Sequence, residues 1–249
     1  MFLIGASGYL GSNCAKYLEK AGHRVVKCKA RLENPDKIRK ELVESGCKYV
    51  ICAAGLSGHP IIDWCEAHPE DTYIVNYLGI LNLMEVCKGF HLTLFGSGYV
   101  YTGAKTIYTE DDTPDLLDKV YCKYKARLEQ EVKPHVLYLR IMYPTSFDGH
   151  PRCFYEKTLS RKGNIHDANV SITSIPHLFP KIPELLEKNV TGIFNFVIDG
   201  TVSLKKLVKD ESSPSSEVPY GNYELSAKKL KRYISVVSNS EFLASEFFQ

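Results

Sequence analysis

The stretch "MFLIGASGYLG" constrains the fold of this chain more than any other. An apolar run passes directly into Gly5, Gly8 and Gly11, spaced three residues apart. Residues 12–21 follow with Cys14, Ala15, Leu18 and Ala21 on one helical face, ending near Gly22. A strand, a G-x-x-G-x-x-G turn and a helix form the place where a dinucleotide diphosphate rests against the free N–H groups of a helix N-terminus. Gly5 permits the tight turn, Gly8 lets the backbone approach phosphate, and Gly11 lets the helix pack closely on the sheet. Tyr9 and Leu10 belong to the same turn. The competing interpretation is a glycine-rich turn of any α/β protein, and the position after the first strand argues against it.

Apolar runs then alternate with helix-like segments. "HRVVKCK" reads as the second strand and "PDKIRKELVESG" as a helix that Pro35 starts and Gly46 ends. "KYVICAAG" is the third strand, and its last residues, Ala53, Ala54 and Gly55, join the cofactor-binding set. Asp71 to Cys87 reads as one long helix, "HLTLFGSG" as the fourth strand, residues 121–132 as a helix and "VLYLRI" as the fifth strand. "TGIFNFV" is a late returning strand, "DESSPSSEVP" (210–219) a loop and "SAKKLKRYI" a short helix. The pattern implies an α/β chain: a Rossmann-type doubly wound parallel sheet covered on both faces, with a small C-terminal substrate lobe. The expected division is a dinucleotide-binding domain of 1–143 with 168–200, and a substrate-binding lobe of 144–167 with 201–249.

Bulk properties exclude other classes. A net charge of +2 on 249 residues gives no field directed at nucleic acid or membrane. No apolar run approaches the roughly 20 residues that span a bilayer. No basic segment precedes the first strand, so no secretion signal is expected. The eight cysteines lack C-x-x-C or Cys/His ligand spacing, which suits free thiols of a reducing cytoplasm better than disulfides or a metal site. A homodimer is the expected assembly.

The end of the second strand selects the cofactor. An NAD site places an acid there for the ribose hydroxyls. Here stand Lys27, Lys29 and Arg31, with no acid before Glu33. Basic groups suit a 2′-phosphate, hence NADP (NADPH). A solvated basic turn is the alternative.

Tyr121 and Lys125 form Y-x-x-x-K on the helix over 121–132, one turn apart on one face. An ammonium beside a phenol favours the phenolate and is expected to lower the Tyr121 pKa. Lys125 can also hold the nicotinamide ribose. Tyr121 can then act as general acid to a carbonyl oxygen as hydride reaches its carbon. Ser97, in "FGSGYVY", can hydrogen-bond the same oxygen. Asn76, in "VNYLG", can hold the lysine through water. Tyr124 and Arg127 also flank Lys125, but the order of the glycines, Asn76, Ser97 and Tyr121/Lys125 favours Tyr121.

With "GASGYLG", "ARLENP", "SGHPIIDWCEAHPEDTYIVNYLG", "GSGYVY", "YCKYK", "LRIMYP", "HPRCFYEK" and "GIFNF", the chain resembles the extended short-chain dehydrogenase/reductases. More narrowly it is similar to the plant-type nucleotide-rhamnose epimerase/reductases and the dTDP-4-dehydrorhamnose reductases. The resemblance implies NADPH-dependent reduction at C4 of a UDP- or dTDP-linked 4-keto-6-deoxyhexose, preceded in plant-type members by 3,5-epimerisation. It implies that Ser97, Tyr121 and Lys125 carry the hydride-coupled proton transfer and that Pro144 borders the nicotinamide. "HPRCFYEK" would border the sugar nucleotide, with Phe154 at the sugar and Arg152 at the diphosphate, where a guanidinium fork suits phosphate oxygens. A surface ion pair is the other reading of Arg152. Asn76, Ser97 and His59 complete the substrate set, with His59 where relatives carry arginine.

Epimerisation needs two proton-handling groups. Lys157 matches the family lysine, whereas Tyr99 replaces the family cysteine, as in reductases that do not epimerise. Tyr99 can still shuttle a proton; Cys153 and Cys122 are alternatives whose bland reading is buried apolar packing. A reductase without epimerase activity therefore stays open, as do an N-acetylated sugar and a non-catalytic NADP-binding regulator. A dehydratase would want an acid pair near Ser97, and the residues there are glycine and tyrosine.

Overall fold

A computed structural model describes residues 1–58, 62–160, 165–166, 168–210 and 222–246. The chain opens with β1 (Phe2–Ile4), α1 (Tyr9–Lys20), β2 (Val26–Lys27), α2 (Pro35–Ser45) and β3 (Tyr49–Cys52). Helices α3 (Trp64–Ala67) and α4 (Pro69–Tyr73) lead through a π-helical turn, Ile74–Leu78, into α5 (Gly79–Val86). Then come β4 (His91–Ser97), β5 (Ile107–Tyr108), α6 (Val120–Glu129), β6 (Val136–Ile141) and α7 (Phe154–Leu159). The remainder holds β7 (Asn169–Val170), α8 (Ile175–Leu178), α9 (Ile182–Glu187), β8 (Gly192–Asn195), β9 (Val202–Ser203), α10 (Leu204–Leu207), β10 (Glu224–Leu225) and α11 (Asn239–Ala244).

Six strands form one parallel sheet in the order β2-β1-β3-β4-β6-β8. All six residues of β6 are buried, as helices on both faces require of a central parallel strand. Strand alternation sends Leu3, Ile51, Leu137 and Leu139 to a core shared with α1, α8 and α9. Phe2, Ile4, Val50, Leu92 and Leu94 face the other core, built with α2 and α5. The order reverses between β1 and β3, so a crevice opens at their carboxyl ends, where ligands of such sheets sit. Two small sheets lie apart from this one: β5 pairs with β10, and β7 with β9.

Three elements differ from expectation. The segment Asp71 to Cys87 is α4, the π turn and α5, because a π turn lets Asn76 point inward and grip another backbone. "SAKKLKRYI" forms only a 3-10 turn, Leu230–Arg232, around buried Leu230, where adjacent cations gain no opposite partner along a helix. "HRVVKCK" contributes only Val26–Lys27, an edge strand with one neighbour. The loop expected at 210–219 lies, beyond Asp210, outside the described residues.

The glycine turn explains its own composition. Gly5 has φ +78°, and a Cβ there would lie 2.5 Å from the Ala54 nitrogen. A Cβ on Gly11 would lie 2.0 Å from the Gly5 carbonyl oxygen, while one on Gly8 meets nothing nearer than 3.5 Å. Gly11→Ala should therefore cost about 1–3 kcal/mol by overpacking, and Gly8→Ala less. Urea unfolding of the two variants checks this; equal losses would contradict it.

Candidate active site

The site assembles around the crevice between β1 and β3. Gly8 caps α1 with extended backbone and no side-chain cap, and the first turn of α1 carries no acid. The N–H groups of Tyr9, Leu10 and Gly11 thus stand at a helix start that favours an anion. Gly5 lies against Ala54, and Ala53 donates its N–H to the Ile4 carbonyl at 2.9 Å. Gly5 and Gly11 pack backbone on backbone with no room for a Cβ, Gly8 stays open, and the resulting glycine cradle with its helix-start N–H groups fits the diphosphate of a nicotinamide dinucleotide.

Gly55 connects the cradle to the predicted catalytic pair. A Cβ on Gly55 would sit 3.3 Å from Asn76 Oδ1 and 3.9 Å from Lys125 Nζ. Asn76 is wholly buried; its Oδ1 accepts from the Leu56 N–H at 2.8 Å and its Nδ2 donates to the Leu56 carbonyl at 2.6 Å. Both ends of its amide are therefore engaged by the backbone after β3. Asn76 thereby holds the backbone at Leu56, beside the place where Lys125 approaches Gly55.

Tyr121 lies in the first turn of α6 and Lys125 in the next, with Nζ 5.8 Å from the Tyr121 ring centre. Ser97 ends β4 and is buried, and its Oγ accepts the Tyr99 N–H at 3.1 Å, leaving its own O–H to donate. Burial pushes the Tyr121 phenol up to about 12, opposed by the neighbouring Ser97 hydroxyl. Burial also brings the Lys125 ammonium down to about 8, opposed by Cys52, Glu129 and Cys65. The expected lowering of the Tyr121 phenol is not found: burial raises it, the lowering contact comes from Ser97, and Lys125, with Nζ 5.8 Å from the ring centre, is not among the groups that shift it. The arrangement keeps Tyr121 protonated at neutral pH, the state a proton donor needs.

The segment after β6 carries the other predicted residues. Tyr143 adopts φ 43° and stacks on Phe154, with ring centres 4.2 Å apart. The Pro144 carbonyl accepts from the Phe154 N–H at 2.9 Å. Arg152 is exposed, and Lys157 lies half-buried on α7, one turn beyond Cys153. Tyr99 is half-buried against the cluster of Val100, Tyr101 and Met142. Cys122 and Cys153 are wholly buried: Cys122 Sγ donates to the Tyr99 carbonyl at 3.1 Å, and Cys153 Sγ accepts from the Ser146 N–H at 3.3 Å. Their packing agrees with buried apolar roles. His59 lies outside the described residues.

A surface cleft beyond β2 is lined by Lys29, Ala30, Arg31, Glu33, Asn34 and Lys37. Arg31 is exposed and approaches Glu33 at 3.7 Å, and Lys27 pairs with Glu19 at 3.1 Å instead of facing this cleft. An acid that local sequence did not reveal, Glu41 on α2, accepts the Lys29 N–H at 2.8 Å, which holds its carboxyl below the usual range. It is engaged with the backbone, so the cleft keeps its basic side chains.

Two further contacts were missed. The Tyr9 hydroxyl donates to Ser146 Oγ at 2.8 Å and its ring lies 4.7 Å from that of His150, so Tyr9 ties the glycine turn to the segment after β6. Glu129 and Arg140 form a buried ion pair under α6. Neither contact follows a local spacing; the partners are 137 and 11 residues apart. Among the described residues no cluster of three or more His, Cys, Asp or Glu is arranged to hold a metal, and no helix is long and apolar enough to cross a membrane.

Comparison with known proteins places this geometry. A bifunctional dTDP-4-dehydrorhamnose 3,5-epimerase/dTDP-4-dehydrorhamnose reductase of Arabidopsis thaliana is 30% identical, over 100% of this chain and 92% of its own length. A trifunctional UDP-glucose 4,6-dehydratase/UDP-4-keto-6-deoxy-D-glucose 3,5-epimerase/UDP-4-keto-L-rhamnose-reductase of the same plant is 31% identical over 98% of this chain, which spans only 38% of that protein. The crystal structure of the L780 UDP-rhamnose synthase of Acanthamoeba polyphaga mimivirus shares the fold with a TM-score of 0.87 at 23% identity, covering 99% of this chain and 98% of that one. The sequence pattern of the NAD dependent epimerase/dehydratase family matches residues 1–135, more than half of the protein, and the chain belongs to that family.

Proposed function

We propose that this protein is an NADPH-dependent 4-ketoreductase of a UDP- or dTDP-linked 4-keto-6-deoxyhexose, and that it also epimerises the sugar at C3 and C5. One observation carries the reading: Ser97, Tyr121 and Lys125 converge at the carboxyl ends of β3 and β4, beside a glycine cradle that takes a dinucleotide. The names of the two plant relatives supply the substrate class and support both activities.

The nicotinamide, when bound, supplies a hydride to the ketone carbon. Ser97 donates a hydrogen bond to the ketone oxygen, and Tyr121 gives the same oxygen its proton as negative charge develops there. A phenol near 12 holds its proton at neutral pH yet remains a stronger acid than the alcohol it creates, so transfer runs toward product. Lys125 then stands beside the phenolate and stabilises it. A residue locked as a non-catalytic regulator would not need this trio, and the retained side chains weigh against that alternative.

For epimerisation, Lys157 and Tyr99 are the proposed proton-handling groups, since Cys122 and Cys153 are buried and engaged. The segment 144–167 with 201–249 is proposed as the substrate-binding lobe, with Arg152, Phe154 and His59 assigned to binding the nucleotide sugar and Pro144 to bordering the nicotinamide. Lys29 and Arg31 select NADPH. Free thiols at all eight cysteines support a reducing, cytoplasmic setting, and a homodimer belongs to the same reading.

Tyr121→Phe should reduce turnover with NADPH and UDP-4-keto-6-deoxyglucose by about 10²–10⁴-fold while leaving NADPH affinity nearly unchanged. Turnover within a few-fold of wild type would contradict the acid assignment. The same incubation in D₂O should place deuterium at C3 and C5 of the product; reduction without that label would leave the reductase alone. NADPH should bind more tightly than NADH, and Arg31→Ala should narrow the difference; equal affinities in the unmodified protein would remove the cleft from cofactor selection.

A further inference from the structure

Tyr121, Lys125 and Glu129 stand four residues apart along α6, so their side chains form one stripe down the helix face that covers β4 and β6. The third member of the stripe has no place in the reaction described above. Its carboxylate is buried and gripped by Arg140 of β6: Nη2 reaches Oε2 at 2.7 Å, and Nε lies 3.1 and 3.2 Å from the two oxygens.

Arg140 is itself only 1% exposed. Its Nη1 donates to the Thr109 carbonyl at 3.1 Å and to Asn195 Oδ1 at 3.3 Å, and its guanidinium lies 5.5 Å from the Tyr101 ring centre. Asn195 in turn donates to the carbonyls of Tyr108 and Ser226. The guanidinium, carried on β6, is therefore held by the residue that follows β5 and by Asn195 of β8, and it fixes the carboxylate at one point. Burial works against the Glu129 charge, but the guanidinium beside it keeps its proton at every accessible pH, so the pair stays ionic.

We propose that Glu129, clamped by Arg140, is a positioning residue for Lys125: a fixed buried counter-charge one helical turn below the ammonium, holding it charged and aimed at Gly55 and Tyr121. The placement rests on the structure alone; its consequence for turnover rests on the ketoreductase reading. Lys125 has few other sources of negative charge. The groups that face it are Tyr121 and Glu129 from α6, Cys52 from β3 and Cys65 from α3, and the two thiols stay protonated because burial raises both. Around Glu129 the charged and titratable groups are Arg140, Lys125, Tyr138 and Tyr101. Tyr138 and Tyr101 are themselves buried, so this layer lies away from the surface. In such surroundings one carboxylate has a long reach.

The test titrates Lys125 directly. Protein carrying 13Cε-lysine is followed by NMR from pH 6 to 11, with the Lys125 signal assigned by its loss in Lys125→Arg. The midpoint in the unmodified protein should lie near 8. Glu129→Gln keeps the shape and a hydrogen-bond acceptor for Arg140 but removes the charge; removing a negative neighbour favours the neutral amine, so the midpoint should fall by about one unit. Glu129→Gln/Arg140→Gln leaves no orphaned guanidinium and decides the matter where the single variant fails to fold; its midpoint should also lie below that of the unmodified protein. An unchanged midpoint in the double variant overturns the proposal. The basic limb of kcat/KM should move with the midpoint, which loss of packing alone would not produce. A shifted midpoint in protein that never oxidises NADPH would support this placement and count against the ketoreductase reading.

Discussion

The site depends on a backbone contact that admits no side chain. Gly5 and Gly11 bring the start of α1 onto β1, and Gly5 brings that turn against the backbone of Ala54 at the end of β3. This closeness sets the depth of the crevice at the switch in strand order. It also places Gly55 beside Asn76 and Lys125, so the glycine turn and the proposed catalytic pair occupy one edge of the sheet. Asn76 secures the arrangement by accepting from and donating to the backbone of Leu56.

Burial then decides the chemistry. A phenol driven up to about 12 and an ammonium driven down to about 8 have affinities for a proton that move apart, so at neutral pH the phenol keeps its proton. That is the state the proposed proton donor needs. The effect of burial on Lys125 is opposed by Cys52 of β3, Glu129 of α6 and Cys65 of α3, and the Glu129–Arg140 pair joins α6 to β6, with Thr109 and Asn195 holding the guanidinium. Breaking such a pair on one side typically costs about 3–5 kcal/mol, which explains why its anchoring is so complete.

Much of this was legible in the residues. The glycine spacing, the alternation of apolar runs with amphipathic segments, and the i, i+4 relation of Tyr121 and Lys125 are local patterns, and each appears in the fold at the place its spacing implies. What was not legible was set by long-range partners. The π turn arises because Asn76 reaches a backbone 20 residues away. Glu41 reaches Lys29 from the next helix, and Tyr9 reaches Ser146 across most of the chain. The direction of the Tyr121 shift was misjudged for the same reason: spacing reveals the neighbouring charge, whereas desolvation depends on everything packed around the ring.

The central claim is that Tyr121, Ser97 and Lys125 serve the reduction of a sugar ketone by a dinucleotide held in the glycine cradle. It is tested most directly by a single turnover of UDP-4-keto-6-deoxyglucose with NADPH deuterated at the transferable nicotinamide position, followed by NMR of the product. The account predicts one deuterium on C4 of the sugar. A 6-deoxy product with hydrogen at C4, or a nicotinamide that keeps its label while the ketone persists, would contradict it.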